Sequence, residues 1–277
     1  MSTQTMSTQS TGTSTAGMQS TGTSTTGTSS TPAQAAGPPD GRPLTEAGLL
    51  AVWEAGRGKD AVRRSLVLAA AGGADPSAVA DLAVGTCREL VLALHERCFG
   101  PTFPCAVTCP SCHEELELEL SADDVRAGGA DGERRLRVEG FEIEFRLITG
   151  RDLLTVGPGT PDARRALLGR VLTSAVAQGV QVAPEELPDA VLDALADALS
   201  AQDPQADVRL ELDCVECGHA WLSPFDAAAH LWAELDAYAR RLVHDVHVLA
   251  SAYGWSEDEV LAIGPARRQC YLELVTG

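Results

Sequence analysis

Two Cys-x-x-Cys pairs, Cys109-Pro110-Ser111-Cys112 and Cys214-Val215-Glu216-Cys217, constrain this chain more than any other feature. A structural metal ion takes four ligands in a tetrahedron, and a tight turn carrying two thiolates aims both sulfurs at one point. Each pair is followed closely by a histidine, His113 directly and His219 after Gly218. Gly218 can take the positive φ of a sharp turn after the second ligand. A compact zinc ribbon separates its pairs by some ~15–20 residues, whereas about a hundred lie between Cys112 and Cys214. The flanks compensate for that spacing. "EELELEL" puts Leu116, Leu118 and Leu120 on one strand face and Glu115, Glu117 and Glu119 on the other, and "VRLELDC" turns Val208, Leu210 and Leu212 inward. If these strands are neighbours in one sheet, both turns arrive at the same end. The pattern predicts a structural Zn2+ held by Cys109, Cys112, Cys214 and Cys217. The competing readings are a redox dithiol, which expects a strand-to-helix setting that Cys112 lacks, and plain core cysteines. Cys105 is an alternative ligand, placed in Pro-containing loop sequence with no partner at knuckle spacing. A closed shell of four thiolates leaves no position for water or substrate, so it stabilises without catalysing.

Around these pairs the pattern is mostly helical. From Leu44, "LLAVWEAG" and "KDAVRRSLVLAAAGG" read as short amphipathic helices stopped by Gly. In "RELVLALHERCFG", Cys87, Val91, Leu94 and Cys98 share one helix face, which makes the two cysteines core residues. "RRLRVEGFEIEFRLI" reads as a hairpin turning at Glu139-Gly140. Val138 then pairs with Phe141 and Leu136 with Ile143, while Arg137 faces Glu142 and Arg135 faces Glu144. "TPDARRALLGRVLTSAVAQG" reads as one helix with Thr160 as N-cap and Pro161 at its first position, its apolar face running from Leu167 to Val176. "LPDAVLDALADALS" is a second helix with Val191, Leu192, Leu195 and Leu199 inward. Leu231, Leu235, Tyr238, Leu242, Leu249 and Tyr253 form one stripe down a long helix. Ser256 and Glu259 make a capping box, and Gly264-Pro265 precedes a last helix in which Cys270 is expected to pack.

The fold class is therefore α+β, mainly helical: a small antiparallel sheet with a zinc-ribbon-like four-cysteine site, a helical insertion and C-terminal helices. With 44% hydrophobic and only 4% aromatic residues, the core must be mostly Leu, Val and Ala. Residues 1–43, rich in Ser, Thr and Gly with a decayed repeat, have almost nothing to bury and are expected to be a disordered tail and linker. Residues 44–277 are expected to form a single folded domain. Within it, 44–104 supply N-terminal helices, 105–148 and 206–224 the knuckles and sheet, 149–205 the helical insertion and 225–277 the C-terminal helices. The N-terminus shows no apolar run with leading positive charge, and no segment approaches a membrane span, so a cytoplasmic protein without membrane insertion is expected.

The formal charge of −18 falls entirely on residues 44–277, because Asp40 and Arg42 cancel in the tail. An acidic surface repels phosphate backbones and argues against nucleic acid as a partner. No nucleophile elbow and no phosphate-binding loop is present, and "GPGTPDARR" lacks the Lys and the preceding strand such a loop needs. His244, Asp245 and His247 lie off the long helix's apolar stripe, and His230 with Glu234 at i and i+4 is read as another exposed polar pair. No residue set makes an active site, and no enzyme activity is expected.

The order of these features resembles a phage baseplate family, the one that includes the T-even phage baseplate-hub assembly chaperone and relatives encoded beside contractile injection systems. The phrases that carry it are "LLAVWEAGRGKDAVRRSLVLAAAG", "LAVGTCRELVLALHERCFGP", "CPSCHEELELEL", "VEGFEIEFRLITGRDLL", "LELDCVECGHAWLSPFD" and the C-terminal run from His230 to Val275. The resemblance covers residues 44–277 and is most specific from Trp232 to Tyr271 and at the cysteine pairs. It implies a non-enzymatic assembly chaperone or structural component whose partners are baseplate or hub proteins of a contractile tail. It brings no catalytic residues, and it implies the four-cysteine metal site for members that carry the motifs. The alternative from the cysteine pairs alone is a zinc-ribbon factor associated with nucleic acid.

Overall fold

The computed structural model describes residues 42–128, 132–157 and 159–277; the expected tail lies outside them apart from its last two residues. Helix α1 (Glu46–Gly56) starts where Thr45 accepts the Gly48 N–H at 3.1 Å, and α2 (Ala61–Gly72) where Asp60 accepts that of Arg63 at 2.9 Å. Side-chain oxygens at these positions satisfy donors that the first helical turn leaves free. Helix α3 (Val84–Cys98) then crosses α2 closely. A Cβ on Gly72 would stand 2.4 Å from the Leu90 carbonyl oxygen, so any side chain there forces the two helices apart. Cys87, Val91 and Leu94 are buried on the inner face of α3, and Cys98 packs at the edge of the same core, as the spacing predicts.

The knuckle region differs from expectation in one respect. Strand β1 (Thr102–Thr108) pairs antiparallel with β2 (Glu115–Ser121), so the first cysteine pair is the turn of a hairpin. Cys105 thus lies on a strand, opposite Leu118, and not in a loop. Strands β3 (Arg135–Val138) and β4 (Phe141–Phe145) form the expected hairpin in the expected register, with Arg135–Glu144 at 2.9 Å and Arg137–Glu142 at 3.0 Å on its outer face. Glu139 and Gly140 both take positive φ, the geometry of a two-residue turn that matches strand twist.

After α4 (Gly150–Val156), the single helix expected over residues 160–179 is divided. Helix α5 spans Ala163–Val171, and the chain then straightens into β5 (Leu172–Ala177), which pairs with β4, before a Gln178-Gly179 turn leads into β6 (Val180–Gln181). The N-cap is Asp162, which accepts the Arg165 N–H at 3.2 Å, and not Thr160. β-branched Thr173 and Val176 favour the extended form, and the free edge of β4 offers "TSAVA" a full ladder. The helical insertion is in fact helix and strand. Helix α6 (Asp189–Gln202) covers the four-stranded sheet β3-β4-β5-β6 with Val191, Leu192, Leu195 and Leu199.

Strand β7 (Arg209–Asp213) pairs with β8 (Ala220–Pro224), so the second cysteine pair is again a hairpin turn. Among the described residues three separate antiparallel sheets replace the one expected, because each Cys-x-x-Cys turn reverses its own chain and supplies its own partner strand. Helix α7 (Ala227–Tyr253) is 27 residues long, about 40 Å at 1.5 Å per residue. It buries Leu231, Leu235, Ala239 and Leu242 in one cluster with α1, α2 and α3, and Leu249 is buried nearer its C-terminal end. Helix α8 (Glu257–Leu261) carries the expected Ser256–Glu259 capping box. Helix α9 (Pro265–Thr276) is held by buried Arg268, which donates to Glu46 on α1 at 2.6 Å. Otherwise α9 is largely exposed. Cys270 is exposed and does not pack as expected, because only the Arg268 side of this helix meets the core. No helix among the described residues is long and apolar enough to cross a membrane.

The described residues thus form a mixed helix and sheet fold with two large hydrophobic clusters and a small one at the cysteine turns. Of the large ones, one joins α1, α2, α3 and α7 with Phe103 of β1 and Phe225, and the other lies between α5, α6 and the four-stranded sheet. At the start of α4, Asp152 is 1% exposed and accepts from Arg146 at 2.6 and 2.8 Å, from Arg170 at 3.1 Å, and from both the N–H and the hydroxyl of Thr149. The Arg146 guanidinium, helped by these Thr149 bonds against the penalty of burial, holds its carboxyl well below the usual carboxylate range.

Candidate metal centre

The two knuckles are built alike. In the first, Cys109 donates its N–H to Glu114 at 2.8 Å and accepts that of His113 at 3.0 Å; in the second, Cys214 donates to His219 at 2.9 Å and accepts from Gly218 at 2.8 Å. The residue after the second cysteine has positive φ in both, 69° at Gly218 and 64° at His113. Glycine takes this conformation freely, whereas at His113 the Cβ is strained. The turns face one another and bring all four predicted cysteines together. Cys109 Sγ lies 3.7 Å from Cys217 Sγ, and Cys112 Sγ lies 3.6 Å from Cys214 Sγ.

These distances bear on what the cluster can hold. A disulfide needs about 2.05 Å between sulfurs, far shorter than either contact. A tetrahedron with metal–sulfur bonds of ~2.3 Å has sulfur–sulfur edges of about 3.8 Å, close to what both contacts show. The cluster can therefore hold a metal ion. The first cysteine of each pair is buried and the second exposed, so the centre sits at a rim with one side open to solvent. Leu116, Val107 and Trp221 pack around Cys109 and Cys214 as a small apolar floor.

The electrostatics fit the same chemistry. Burial raises the Cys109 thiol, but the N–H groups of Cys112 and Ser111 and the sulfurs of Cys112 and Cys214 outweigh it and take it down to about 6. At Cys112 the Glu114 N–H pulls down, yet burial and crowding by Cys109, Cys214 and Cys217 push the thiol up to about 12. One thiolate forms readily and further ones are opposed by the first. A cation at the centre of the four removes that opposition.

Cys105 does not join this set. Its sulfur lies 3.8 Å from Nδ1 of His230 in the interior behind the hairpin, and burial, with the charge of Glu234 adding to it, raises its thiol. His244 and His247 are exposed on α7, as expected. His230 and Glu234 are not the solvated pair that their i, i+4 spacing suggested. Both are half-buried and meet His95 of α3, whose Nε2 stands 2.6 Å from a Glu234 oxygen. The sequence reading missed His95. Its signal was present, since it lies four residues after Val91 on the apolar face of α3.

No family model, no curated protein and no solved structure matches the chain. What fold and site define on their own is a class: a mixed helix and antiparallel-sheet protein whose paired cysteine hairpins converge on a metal-competent cluster.

Proposed function

We propose that this protein is a non-enzymatic assembly chaperone or structural component of the baseplate or hub of a contractile phage tail or contractile injection system, with a zinc-ribbon-like clamp holding a structural Zn2+ through Cys109, Cys112, Cys214 and Cys217. The observation that carries the reading is the closed donor set. Four thiolates at tetrahedral spacing fill the shell of a zinc ion and leave no position for a reacting group. The phrases behind the baseplate resemblance fall on α1 to α3, on the β3–β4 hairpin and α4, on both cysteine turns, and on α7 to α9. The surface next to the knuckles is acidic, with Glu114, Glu115, Glu117, Glu119 and Glu216 exposed. Such a surface suits a protein partner and repels nucleic acid. On α9, Leu274 is 76% exposed and Val275 beside it is also uncovered, which offers apolar contact to a docking protein.

The test is genetic and compositional. Deleting the gene in its host should abolish or truncate sheathed particles, and mass spectrometry of purified wild-type particles should then separate component from chaperone. Particles of normal number and form from the deletion strain would overturn the proposal. Salt-dependent binding of DNA or RNA by the purified chain at physiological ionic strength would favour a nucleic-acid factor instead.

A further inference from the structure

A second set of ligand-type side chains lies inside the helical core, behind the β1–β2 hairpin. His95 projects from α3, and His230 and Glu234 project from successive turns of α7; their nearest ligating atoms all fall within 4.8 Å of one another. The His95 ring is 1% exposed and stacks on Phe103 with centroids 4.0 Å apart, and the ring of Phe225 stands edge-on to Phe103. A polar triad in such a setting needs a reason, because each buried polar atom left without a partner costs free energy.

Hydrogen bonding accounts for one contact of the triad. His95 Nε2 meets Glu234 Oε2 at 2.6 Å. It does not account for His230, whose Nε2 is buried without a hydrogen-bond partner and faces Glu234 Oε1 at 3.7 Å. An N–H···O bond spans about 2.7–3.2 Å, so this nitrogen and this carboxylate stand within ion-pair range but beyond a hydrogen bond. The ring is oriented by its other side, where Nδ1 faces the Cys105 sulfur. Ligating histidines are held this way, with the non-ligating nitrogen fixed by a neighbour. His95 Nδ1 has no partner whichever proton or cation occupies Nε2, and so does not discriminate.

We propose that His95, His230 and Glu234 form a binding site for a divalent transition-metal ion, separate from the cysteine centre. A tetrahedral site with metal–nitrogen and metal–oxygen bonds of ~2.0–2.1 Å has ligand–ligand edges of about 3.3 Å. The observed distances, 2.6 Å from His95 Nε2 to Glu234 Oε2 and 3.7 Å from His230 Nε2 to Glu234 Oε1, run to the two carboxylate oxygens and fall on either side of that value, so each imidazole has a carboxylate oxygen near ligand spacing. Two imidazoles and one carboxylate suit zinc, cobalt or nickel, and exclude the oxygen-seeking Mg2+ and Ca2+. Glu234 is the most exposed of the three and marks the side from which an ion enters. Three protein ligands leave a fourth position for water, in contrast to the closed thiolate set.

The inference stands independently of the baseplate reading. Its test is titration of the purified full chain, carrying one equivalent of zinc at its cysteines and no more, with Co2+ alone, followed by absorption. Uptake of one further equivalent, with visible d–d bands and no sulfur-to-cobalt charge-transfer band, is expected. His230→Gln and Glu234→Gln should each lose that uptake while retaining the zinc of the cysteine centre. No uptake by the wild-type chain, a band of thiolate character, or undiminished uptake in both variants would overturn the proposal. The wild-type titration decides even where a variant fails to fold.

Discussion

The four cysteines sit on turns at the rim of two hairpins, whereas His95, His230 and Glu234 project from two packed helices into the core. The difference lies in what else holds each set in place. Beneath the cysteines is only a small apolar floor of Leu116, Val107 and Trp221, and the sulfurs crowded around Cys112 oppose its ionisation. Without an ion, that corner has little reason to stay closed. The histidine cluster is positioned by the packing of α3 on α7, with Leu92, Leu94, Leu231 and Leu235 fully or nearly fully buried in the same cluster. Its backbone geometry needs no metal. On the proposed reading, a metal ion would be a folding element in one place and an occupant of an existing fold in the other.

Removing a cysteine from the rim should have the largest effect. Cys214→Ser takes away a buried ligand and should abolish stoichiometric zinc in the purified chain, with destabilisation above ~4 kcal/mol, the range reserved for loss of a metal or an equivalent tie. Metal analysis and denaturant unfolding check it. Retained zinc and an unchanged midpoint would erase the contrast between the two sets.

The second hydrophobic cluster supplies a control remote from both sets. Asp152→Asn breaks a buried carboxylate away from Arg146 and Arg170 and should cost about 3 kcal/mol without altering metal content. The pH dependence follows from the direction of the shift. The native carboxyl is held below its unfolded value, so its contribution is fully present above about pH 4, where an unfolded aspartate ionises. That contribution is lost as the pH falls from there toward the depressed native value. The gap between wild type and Asp152→Asn should therefore be constant from pH 7 to about pH 5 and narrow in stronger acid, as read by denaturant unfolding at each pH.

A smaller effect is expected in the core set. Glu234→Gln replaces a charged hydrogen bond to His95 by a neutral one and should lower stability by about 1–2 kcal/mol, while zinc at the cysteines stays stoichiometric. Loss of that zinc would join two sets described here as separate. The smallest effect sharpens the likeness of the two knuckles. His113→Gly relieves the positive φ that its counterpart Gly218 tolerates, and should stabilise the chain by about 1 kcal/mol in thermal or denaturant unfolding. A loss of stability would mean that the His113 side chain has a role the geometry does not assign.

Each half of the cysteine set was legible in the sequence because what defines it is local, whereas the convergence of the halves does not come from a shared sheet. A turn of six residues, a strand alternation beside it and a glycine at the strained position are all read within a dozen residues. The β3–β4 register was legible for the same reason, since inner and outer faces agreed on one pairing. Three things were not. "LTSAVA" has an apolar pattern that suits a helix face as well as a strand, and the ladder offered by β4 decided between them; the Gln178-Gly179 turn, of the same form as Glu139-Gly140, was the overlooked signal. Strands β1 and β8 were hidden by Pro104 and by short length, and with them the pairing of each knuckle's flanks into its own hairpin. The His95 cluster joins positions 139 residues apart on different helices, and nothing local announces that juxtaposition.

The central claim is that the cysteine centre is a metal clamp on the two hairpins. Amide hydrogen exchange on the zinc-loaded chain, before and after chelation, tests it most directly. Chelation should collapse protection across 102–121 and 209–224 while the amides of α7 between Leu231 and Leu249 stay protected. Unchanged protection in both hairpins after the zinc has been shown to leave would contradict it.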